Sequence, residues 1–331
     1  MADHLRIVKC EILWTRLCPL ACSFCAMPRN DIPRAPIDKM IEGVHRLREL
    51  GVEFFAIYGA SPLYEGEQDL VKFIEQSELI GITTTIITDG IVPRHKDRLR
   101  ALYDVGLRSL TMSYDFIPYD KWSNAKSRHA IELVNWFATL PNIRDVEIVA
   151  TVTSQNYRAI IEQLPLLLAA NYKLWFSFDF VHWDRGHPGT KVKGQAEDLR
   201  MKPEYIREFS EALLQMKLNG GNIHQSFEFL EMIAKRPTMA AGLTWNCAHG
   251  KEFPSWLTID ADGAVLPCDD FWTSRDWKVW DLTPETLSTF ATWYKTEVKE
   301  KCKGCLWSTH WDAAMIKRSG APIDDYIHQG A

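Results

Sequence analysis

The chain lacks the features that mark membrane, secreted and nucleic-acid-binding proteins. Its longest apolar run, near Leu164 to Ala170, is far too short to span a bilayer. The first residues lack the charged and then apolar segments of a signal peptide. The formal net charge is -5, both signs are spread along the chain, and there is no basic stripe or acidic tail. We therefore expect a cytoplasmic protein without membrane or nucleic acid partners, acting on a small molecule or a peptide.

Cysteine is absent from the middle of the chain. None of the eight cysteines lies between Cys25 and Cys247, so they form one group at each end. In a reducing cytosol, clustered cysteines are more often metal ligands than disulfides. The distribution therefore predicts two separate metal centres.

The first two-thirds of the chain alternates strand-like and helix-like segments. Apolar residues recur with helical spacing between short runs that are rich in β-branched or aromatic residues. The predicted strands are Ile7–Thr15, Val52–Tyr58, Thr83–Thr88, Arg108–Tyr114, Val146–Thr153 and Leu174–Val181. A repeated βα unit implies parallel strands with right-handed crossovers, and six strands are fewer than the roughly eight of a complete barrel. We expect an α/β fold with its reactive site at the carboxyl ends of the strands.

The pattern changes in the last third of the chain. A long helix is expected from about Pro203 to Leu218, and short strands and turns follow Trp245. Asp262-Gly263 between two apolar runs predicts a hairpin. We place the boundary near residues 236–244, which gives a first domain over 1–236 and a small α+β domain over 237–331.

Cys18, Cys22 and Cys25 follow the first strand with the spacing C-x3-C-x2-C. Thiolates are the usual ligands of iron–sulfur clusters, and three of them leave one iron of a [4Fe–4S] cluster open to another ligand. The alternatives are a zinc site without its fourth ligand, or coincidence. Structural zinc sites normally have four ligands, and no further His or Cys in this loop supplies one.

This motif, with the aromatic Phe24 before its third cysteine, resembles that of the radical S-adenosylmethionine (SAM) superfamily. The resemblance implies a partial (β/α)6 TIM-like barrel in which SAM chelates the open iron. Its reductive cleavage yields a 5′-deoxyadenosyl radical, which abstracts a substrate hydrogen atom. Such chemistry belongs to the cofactor, while the protein positions the reacting atoms.

The resemblance also implies which residues contact SAM. Gly59-Ala60-Ser61-Pro62 stands where the family usually has Gly-Gly-Glu-Pro, although Ala60 and Ser61 depart from that pattern. The residues carried over as SAM contacts are Phe24, Gly59, Ala60, Ser61, Pro62, Ser113, Asp115, Thr153 and Asn156. The last four of these residues lie at the ends of the fourth and fifth strands or directly after them.

The second cysteine group contains Cys247, Cys268, Cys302 and Cys305. From their spacing alone, four thiolates suit zinc and a second [4Fe–4S] cluster equally well. The arrangement resembles the auxiliary-cluster region of radical SAM enzymes in its shortened "twitch" form, related to the longer SPASM form. Similar sets occur in 2-deoxy-scyllo-inosamine dehydrogenase. The resemblance therefore implies a small auxiliary iron–sulfur domain.

We expect a radical SAM oxidoreductase that oxidises a hydroxyl of an aminocyclitol or sugar-type natural product to a ketone. The auxiliary cluster would accept an electron, and an external donor such as flavodoxin or ferredoxin would supply the first one. His182 or Asp184 would take the hydroxyl proton, and Arg185 would stabilise the developing charge. Cys10 is either a hydrogen-atom donor or a small buried side chain. The alternatives are a radical SAM epimerase, a peptide-modifying maturase and, outside enzymes, a zinc-stabilised binding module.

Overall fold

A computed structural model describes most of the chain. The described residues are 7–20, 22, 25, 32–92, 94–116, 129–170, 173–181, 197–237, 255–268, 276–298 and 308–319. Strands and helices alternate through the first part of the chain, as its apolar periodicity predicts. The strands are β1 (Lys9–Leu13), β2 (Phe54–Tyr58), β3 (Thr83–Thr88), β4 (Ser109–Ser113), β5 (Asp145–Val152), β6 (Trp175–Phe180), β7 (Trp256–Ile259) and β8 (Val265–Leu266).

The α-helices occupy the segments between and after these strands. They are α1 (Ile37–Glu49), α2 (Glu67–Leu79), α3 (His95–Asp104), α4 (Ala130–Ala138), α5 (Tyr157–Ala170), α6 (Pro203–Leu218), α7 (Phe227–Lys235), α8 (Pro284–Trp293) and α9 (Ser308–Ser319). A π-helical turn, Tyr294–Val298, follows α8 directly. No helix in the described ranges is long and apolar enough to cross a lipid bilayer.

All eight strands form one sheet in the order β6-β5-β4-β3-β2-β1-β7-β8. The strands from β6 to β7 are parallel to their neighbours, and β8 returns antiparallel to β7 in a hairpin. This arrangement confirms the predicted fold class. The sheet also includes strands from beyond the predicted first domain. Strand β7 pairs with β1 and places Trp256 opposite Lys9. The domain boundary near residues 236–244 stays a prediction.

The sheet has an outer face covered by helices and an inner face. The Thr84 hydroxyl donates to the Glu78 carboxylate on α2 at 2.6 Å, so even-numbered residues of β3 face the helices. The flanking residues Thr83 and Thr85 therefore face the inside, since side chains alternate along a strand. The main apolar core lies between the outer face and the helices, and it contains Phe55, Ile86 and Phe137 among its buried members.

Helix α9 packs against the inner face. Its Ala313 and Ile316 join a small apolar cluster with Phe54 of β2 and Trp256 of β7. On another side of α9, the Trp311 ring lies 6.4 Å from that of Phe229 on α7. The last described helix therefore connects the β7 side of the barrel with α7.

Candidate active site

The three cysteines of the first motif lie in the loop that follows β1. Cys22 is buried, while Cys18 and Cys25 are half-buried, and none of the three is in a disulfide. The Leu20 N–H donates to Cys18 Sγ at 3.4 Å, and the Cys25 N–H donates to the Cys22 carbonyl at 3.1 Å. The described part of the chain contains no group of three or more His, Cys, Asp or Glu side chains at metal-binding distances. The fit to a cluster therefore rests on the thiol donor set and on how the loop is anchored.

The loop after β2 anchors the beginning of the cysteine loop. The Ala60 N–H donates to the Thr15 carbonyl, and the Ser61 N–H donates to the Leu17 carbonyl, each at 3.1 Å. Gly59 makes this approach possible with a φ of +118°, in the region that favours glycine. The structure thus brings the Gly59–Pro62 segment directly beside the residues that lead into Cys18.

Ser61 differs from the Glu that stands at this position in the family pattern. The residue is fully buried, and its hydroxyl has no hydrogen-bond partner among the described residues. A buried hydroxyl normally has a partner, and one without it is destabilising. The environment of Ser61 is therefore compatible with a polar ligand group at this loop, and its contact with SAM stays a prediction.

The predicted contacts on β4 and β5 meet at the carboxyl ends of these strands. Ser113 is half-buried at the end of β4, and Asp115 is almost fully buried. The Asp115 side chain accepts a hydrogen bond from the Thr151 N–H at 3.4 Å. The two strands are therefore tied together beside the predicted SAM contacts.

Thr153 and Asn156 brace the turn between β5 and α5. The Asn156 side-chain oxygen accepts from the Thr153 N–H at 2.7 Å, and the Thr153 hydroxyl accepts from the Asn156 N–H at 3.2 Å. The Asn156 side-chain amide donates to the Thr151 carbonyl at 2.9 Å. Both residues are fully buried, so their side chains serve the local backbone. A contact between them and SAM stays a prediction.

Cys10 lies on β1 with its side chain fully buried in the main core. Burial raises the pKa of its thiol far above the usual value. This position favours the second of the two roles that we considered for Cys10, a small buried side chain.

Several predicted site residues fall outside the described residues. They are Phe24, His182, Asp184, Arg185, Cys247, Cys302 and Cys305. Of the second cysteine group only Cys268 is described: it follows β8, is buried, and is not in a disulfide. The second metal centre therefore stays a prediction.

Sequence reasoning missed a buried ion pair beside the cysteine loop. Arg16 Nε and Nη2 donate to the two carboxylate oxygens of Asp260 at 2.9 and 2.7 Å. Both side chains are essentially inaccessible to solvent. The two residues are 244 positions apart, so no local pattern could have paired them.

Sequence reasoning also missed a row of polar groups on the inner face of β4 and β5. The Thr111 hydroxyl donates to Glu147 at 3.0 Å, and His224 Nδ1 lies 3.5 Å from the same carboxylate. Burial, followed by repulsion from Glu147, raises the pKa of Asp145 to about 6. A hydrogen bond from Ser109 opposes this shift. The row makes the interior of the barrel acidic on this side.

Comparison with known proteins finds a superfamily match over the first half of the chain. The radical SAM superfamily model matches residues 12–154, which include the cysteine motif and the strands from β2 to β5. The match confirms the superfamily that we predicted from the motif. The superfamily that this segment matches implies a [4Fe–4S] cluster and SAM as cofactors.

The more particular matches include a peptide cyclase and two structures with a bound peptide. The PqqA peptide cyclase of Methylocella silvestris is 23% identical over 320 residues, covering 88% of this chain and 78% of that protein. Streptococcus suis SuiB bound to its precursor peptide SuiA has a TM-score of 0.67 at 17% identity, covering 88% of this chain and 67% of that chain. Native anSMEcpe with bound AdoMet and a peptide has a TM-score of 0.61 at 17% identity, covering 96% and 99%. These two structural similarities establish the fold alone.

The comparisons do not support the sugar substrate that we predicted. BtrN in complex with AdoMet and 2-DOIA reaches a TM-score of 0.39, which is too low to carry an argument. The peptide-modifying alternative is therefore better supported than oxidation of an aminocyclitol.

Proposed function

We propose that this chain is a radical SAM enzyme that modifies a peptide. The observation that carries the proposal is the similarity to PqqA peptide cyclase, because it extends over 88% of this chain, well beyond the residues that the superfamily model matches. The similarity in fold to SuiB and anSMEcpe, both of which have structures with bound peptides, supports the same substrate class. We propose a chemical change in one or two residues of the peptide, started by removal of a hydrogen atom.

Cys18, Cys22 and Cys25 would hold the cluster that the superfamily implies, and SAM would occupy its open iron. When bound, the cluster and SAM supply a carbon-centred radical that removes a hydrogen atom from the substrate. The chain's own residues position these groups. The Gly59–Ser61 backbone keeps the start of the cysteine loop in place, and the Asp115–Thr151 bond joins β4 to β5 at the same end of the barrel.

Cys247, Cys268, Cys302 and Cys305 would hold an auxiliary cluster. Four protein ligands leave no iron open to the substrate, so this cluster would accept or pass an electron or shape the pocket. In a net two-electron oxidation, the peptide loses a hydrogen atom, a proton and an electron. The electron would pass to the auxiliary cluster, and His182 or Asp184 would take the proton. An external flavodoxin or ferredoxin would supply the electron that cleaves SAM.

Metal analysis tests the two-cluster proposal. After anaerobic reconstitution we expect about eight iron and eight sulfide per chain, since each [4Fe–4S] cluster contains about four of each. Cys268→Ser should lower iron towards about four per chain and leave SAM cleavage by dithionite measurable. Tightly bound zinc with about four iron would contradict the auxiliary cluster, and zinc without iron would contradict the enzyme.

Formation of 5′-deoxyadenosine tests the substrate class. The reconstituted protein is incubated with SAM, dithionite and either short peptides encoded beside its gene or a panel of aminocyclitols. We expect one peptide to raise the rate of 5′-deoxyadenosine formation and to change in mass, by a loss of about two units if two hydrogens are removed. An aminocyclitol that is converted while every peptide is inert would contradict the proposal.

A further inference from the structure

One turn of the chain holds both ends of the cysteine loop. Before the loop, the Arg16 guanidinium is bonded at two points to Asp260, which directly follows β7. After the loop, the Ala35 N–H donates to the Ala261 carbonyl at 2.8 Å. The residues between these anchors include Cys18, Cys22 and Cys25. The Asp260–Gly263 turn therefore constrains the segment that would hold the SAM-binding cluster.

The turn is itself held by several contacts. The Asp260 carboxylate accepts from the Ala261 N–H at 2.7 Å, and the Gly263 N–H donates to the Asp260 carbonyl at 2.8 Å. Lys278 Nζ donates to the Asp262 carboxylate at 2.9 Å from outside the turn. A Cβ on Gly263, which has a φ of +78°, would lie 2.2 Å from the Trp280 ring. Several independent contacts thus determine the position of Asp260.

The same turn leads to the second cysteine group. It connects β7 to β8, and Cys268 follows β8 by two residues. Arg16 stands two residues before Cys18 in the sequence. The Arg16–Asp260 pair is therefore a short, buried connection between the loop of the first centre and the hairpin of the proposed second centre.

Stability alone explains this pair poorly. Moving both charges out of water is strongly unfavourable, and replacing a buried ion pair by apolar residues is often neutral or stabilising. A bidentate arginine–carboxylate pair instead supplies a defined geometry, since two parallel hydrogen bonds fix both distance and orientation. Small displacements of reacting groups can reduce a rate by about 100-fold. A geometric role therefore accounts for the pair better than a stabilising one.

We infer that Arg16 and Asp260 are positioning residues that set the geometry of the SAM-binding cluster by tying the cysteine loop to the Asp260–Gly263 turn. The inference rests on the proposed function, in which Cys18, Cys22 and Cys25 hold that cluster. Neither residue needs to touch SAM or substrate. Their effect passes through the backbone on both sides of the loop, so it should appear in the cluster's own spectrum.

The test compares Arg16→Lys and Asp260→Asn with the reconstituted wild-type protein. Arg16→Lys keeps the charge but loses the second hydrogen bond, and Asp260→Asn keeps the size but loses the charge. The readouts are iron per chain, the electron paramagnetic resonance spectrum of the reduced cluster with and without SAM, and 5′-deoxyadenosine formation with dithionite. We expect both variants to bind iron, to lose the SAM-induced spectral change in part, and to form 5′-deoxyadenosine at least about tenfold more slowly.

A matched control separates positioning from loss of stability. Ile148→Val removes one methyl group from the core at β5, away from the turn. It should lower the melting temperature but leave the spectrum and the rate of SAM cleavage unchanged. The inference is wrong if both Arg16→Lys and Asp260→Asn keep the wild-type spectrum and rate. It is also wrong if Ile148→Val, at a melting temperature equal to theirs, loses the spectral change and the rate to the same extent.

A second variant covers the case in which Arg16→Lys and Asp260→Asn do not fold. Lys278→Met acts on the turn from its partly exposed side through Asp262. It should produce a smaller spectral change and a few-fold slower cleavage, and an unchanged spectrum would contradict the inference. Absence of iron and of SAM cleavage in the wild-type protein would contradict the proposed function instead, so the two failures are distinguishable.

Discussion

A Cβ atom placed on Gly59 would lie 2.7 Å from the carbonyl oxygen of Thr15. The two residues belong to the loops after β2 and β1, and the neighbouring Ala60 N–H donates to that same carbonyl. Because Thr15 leads into the cysteine motif, the backbone at Gly59 sets the position of the loop that would hold the cluster. The contact explains physically why glycine stands at this position.

Gly59→Ala should therefore impair both folding stability and SAM cleavage. The substitution forces an alanine into a φ of +118° and a Cβ into backbone oxygen, so we expect a loss of about 1–3 kcal/mol in the free energy of unfolding. Urea unfolding measures this loss, and 5′-deoxyadenosine formation measures the effect on the loop. Gly220→Ala is the control, because Gly220 also has a positive φ, +87°, but nothing lies within 4 Å of its Cβ position. Equal losses in both variants would show that the approach to Thr15 is unimportant.

Ser61→Ala should affect SAM more than it affects stability. The Ser61 hydroxyl is buried without a partner among the described residues, so its removal sacrifices no internal hydrogen bond. We expect an unchanged melting temperature and a several-fold higher KM for SAM, because a polar ligand group would lose a hydrogen bond. Steady-state 5′-deoxyadenosine formation at varied SAM checks this. A KM equal to that of the wild type would show that the hydroxyl does not contact SAM.

Cys10→Ala should leave the reaction unchanged. The thiol lies in the main core on β1, and its raised pKa keeps it protonated at neutral pH. We expect a loss of about 1 kcal/mol in the free energy of unfolding, from the missing sulfur in a packed environment. Product yield and stereochemistry should match the wild type at a temperature where both proteins are folded. A changed product would instead identify Cys10 as a hydrogen-atom donor.

The sequence predicts features that depend on local patterns and misses those that depend on distant contacts. Strand β3 and helix α6 occupy the predicted ranges Thr83–Thr88 and Pro203–Leu218, because β-branched runs and helical apolar spacing are local signals. The pairing of β7 with β1, and the ion pair between Arg16 and Asp260, join residues from opposite ends of the chain. Such pairings depend on tertiary packing and leave no mark in either segment alone.

In the candidate site, too, local sequence patterns are predictable and the contacts of individual side chains are not. The cysteine motif could be found because its ligands are close together in the sequence, and comparison confirms the superfamily that it indicates. Thr153 and Asn156 are predicted SAM contacts, and the structure shows that their side chains also form hydrogen bonds within the turn before α5. A polar residue at the carboxyl end of a strand can brace its own loop or bind a ligand, and the sequence pattern alone does not distinguish the two roles.

The Asp145 carboxyl should make stability decrease between about pH 4 and pH 6. Burial raises its pKa in the folded protein to about 6, whereas an unfolded chain has an aspartate pKa of about 3.9. Between these values the folded state binds more protons, so its stability falls as the pH rises and then stays lower above pH 6. The difference between the two pKa values corresponds to on the order of 2 kcal/mol, after allowance for the partial exposure of this side chain.

Asp145→Asn should therefore be more stable than the wild type at pH 7.5 and gain little at pH 4, because the amide mimics the protonated carboxyl. Urea unfolding at both pH values measures the difference between the two proteins, which cancels the titration of other groups. Asp198→Asn is the control, since Asp198 is exposed, and it should show no such pH-dependent gain. If the difference between Asp145→Asn and the wild type is the same at both pH values, the pKa of Asp145 is not raised in the folded protein.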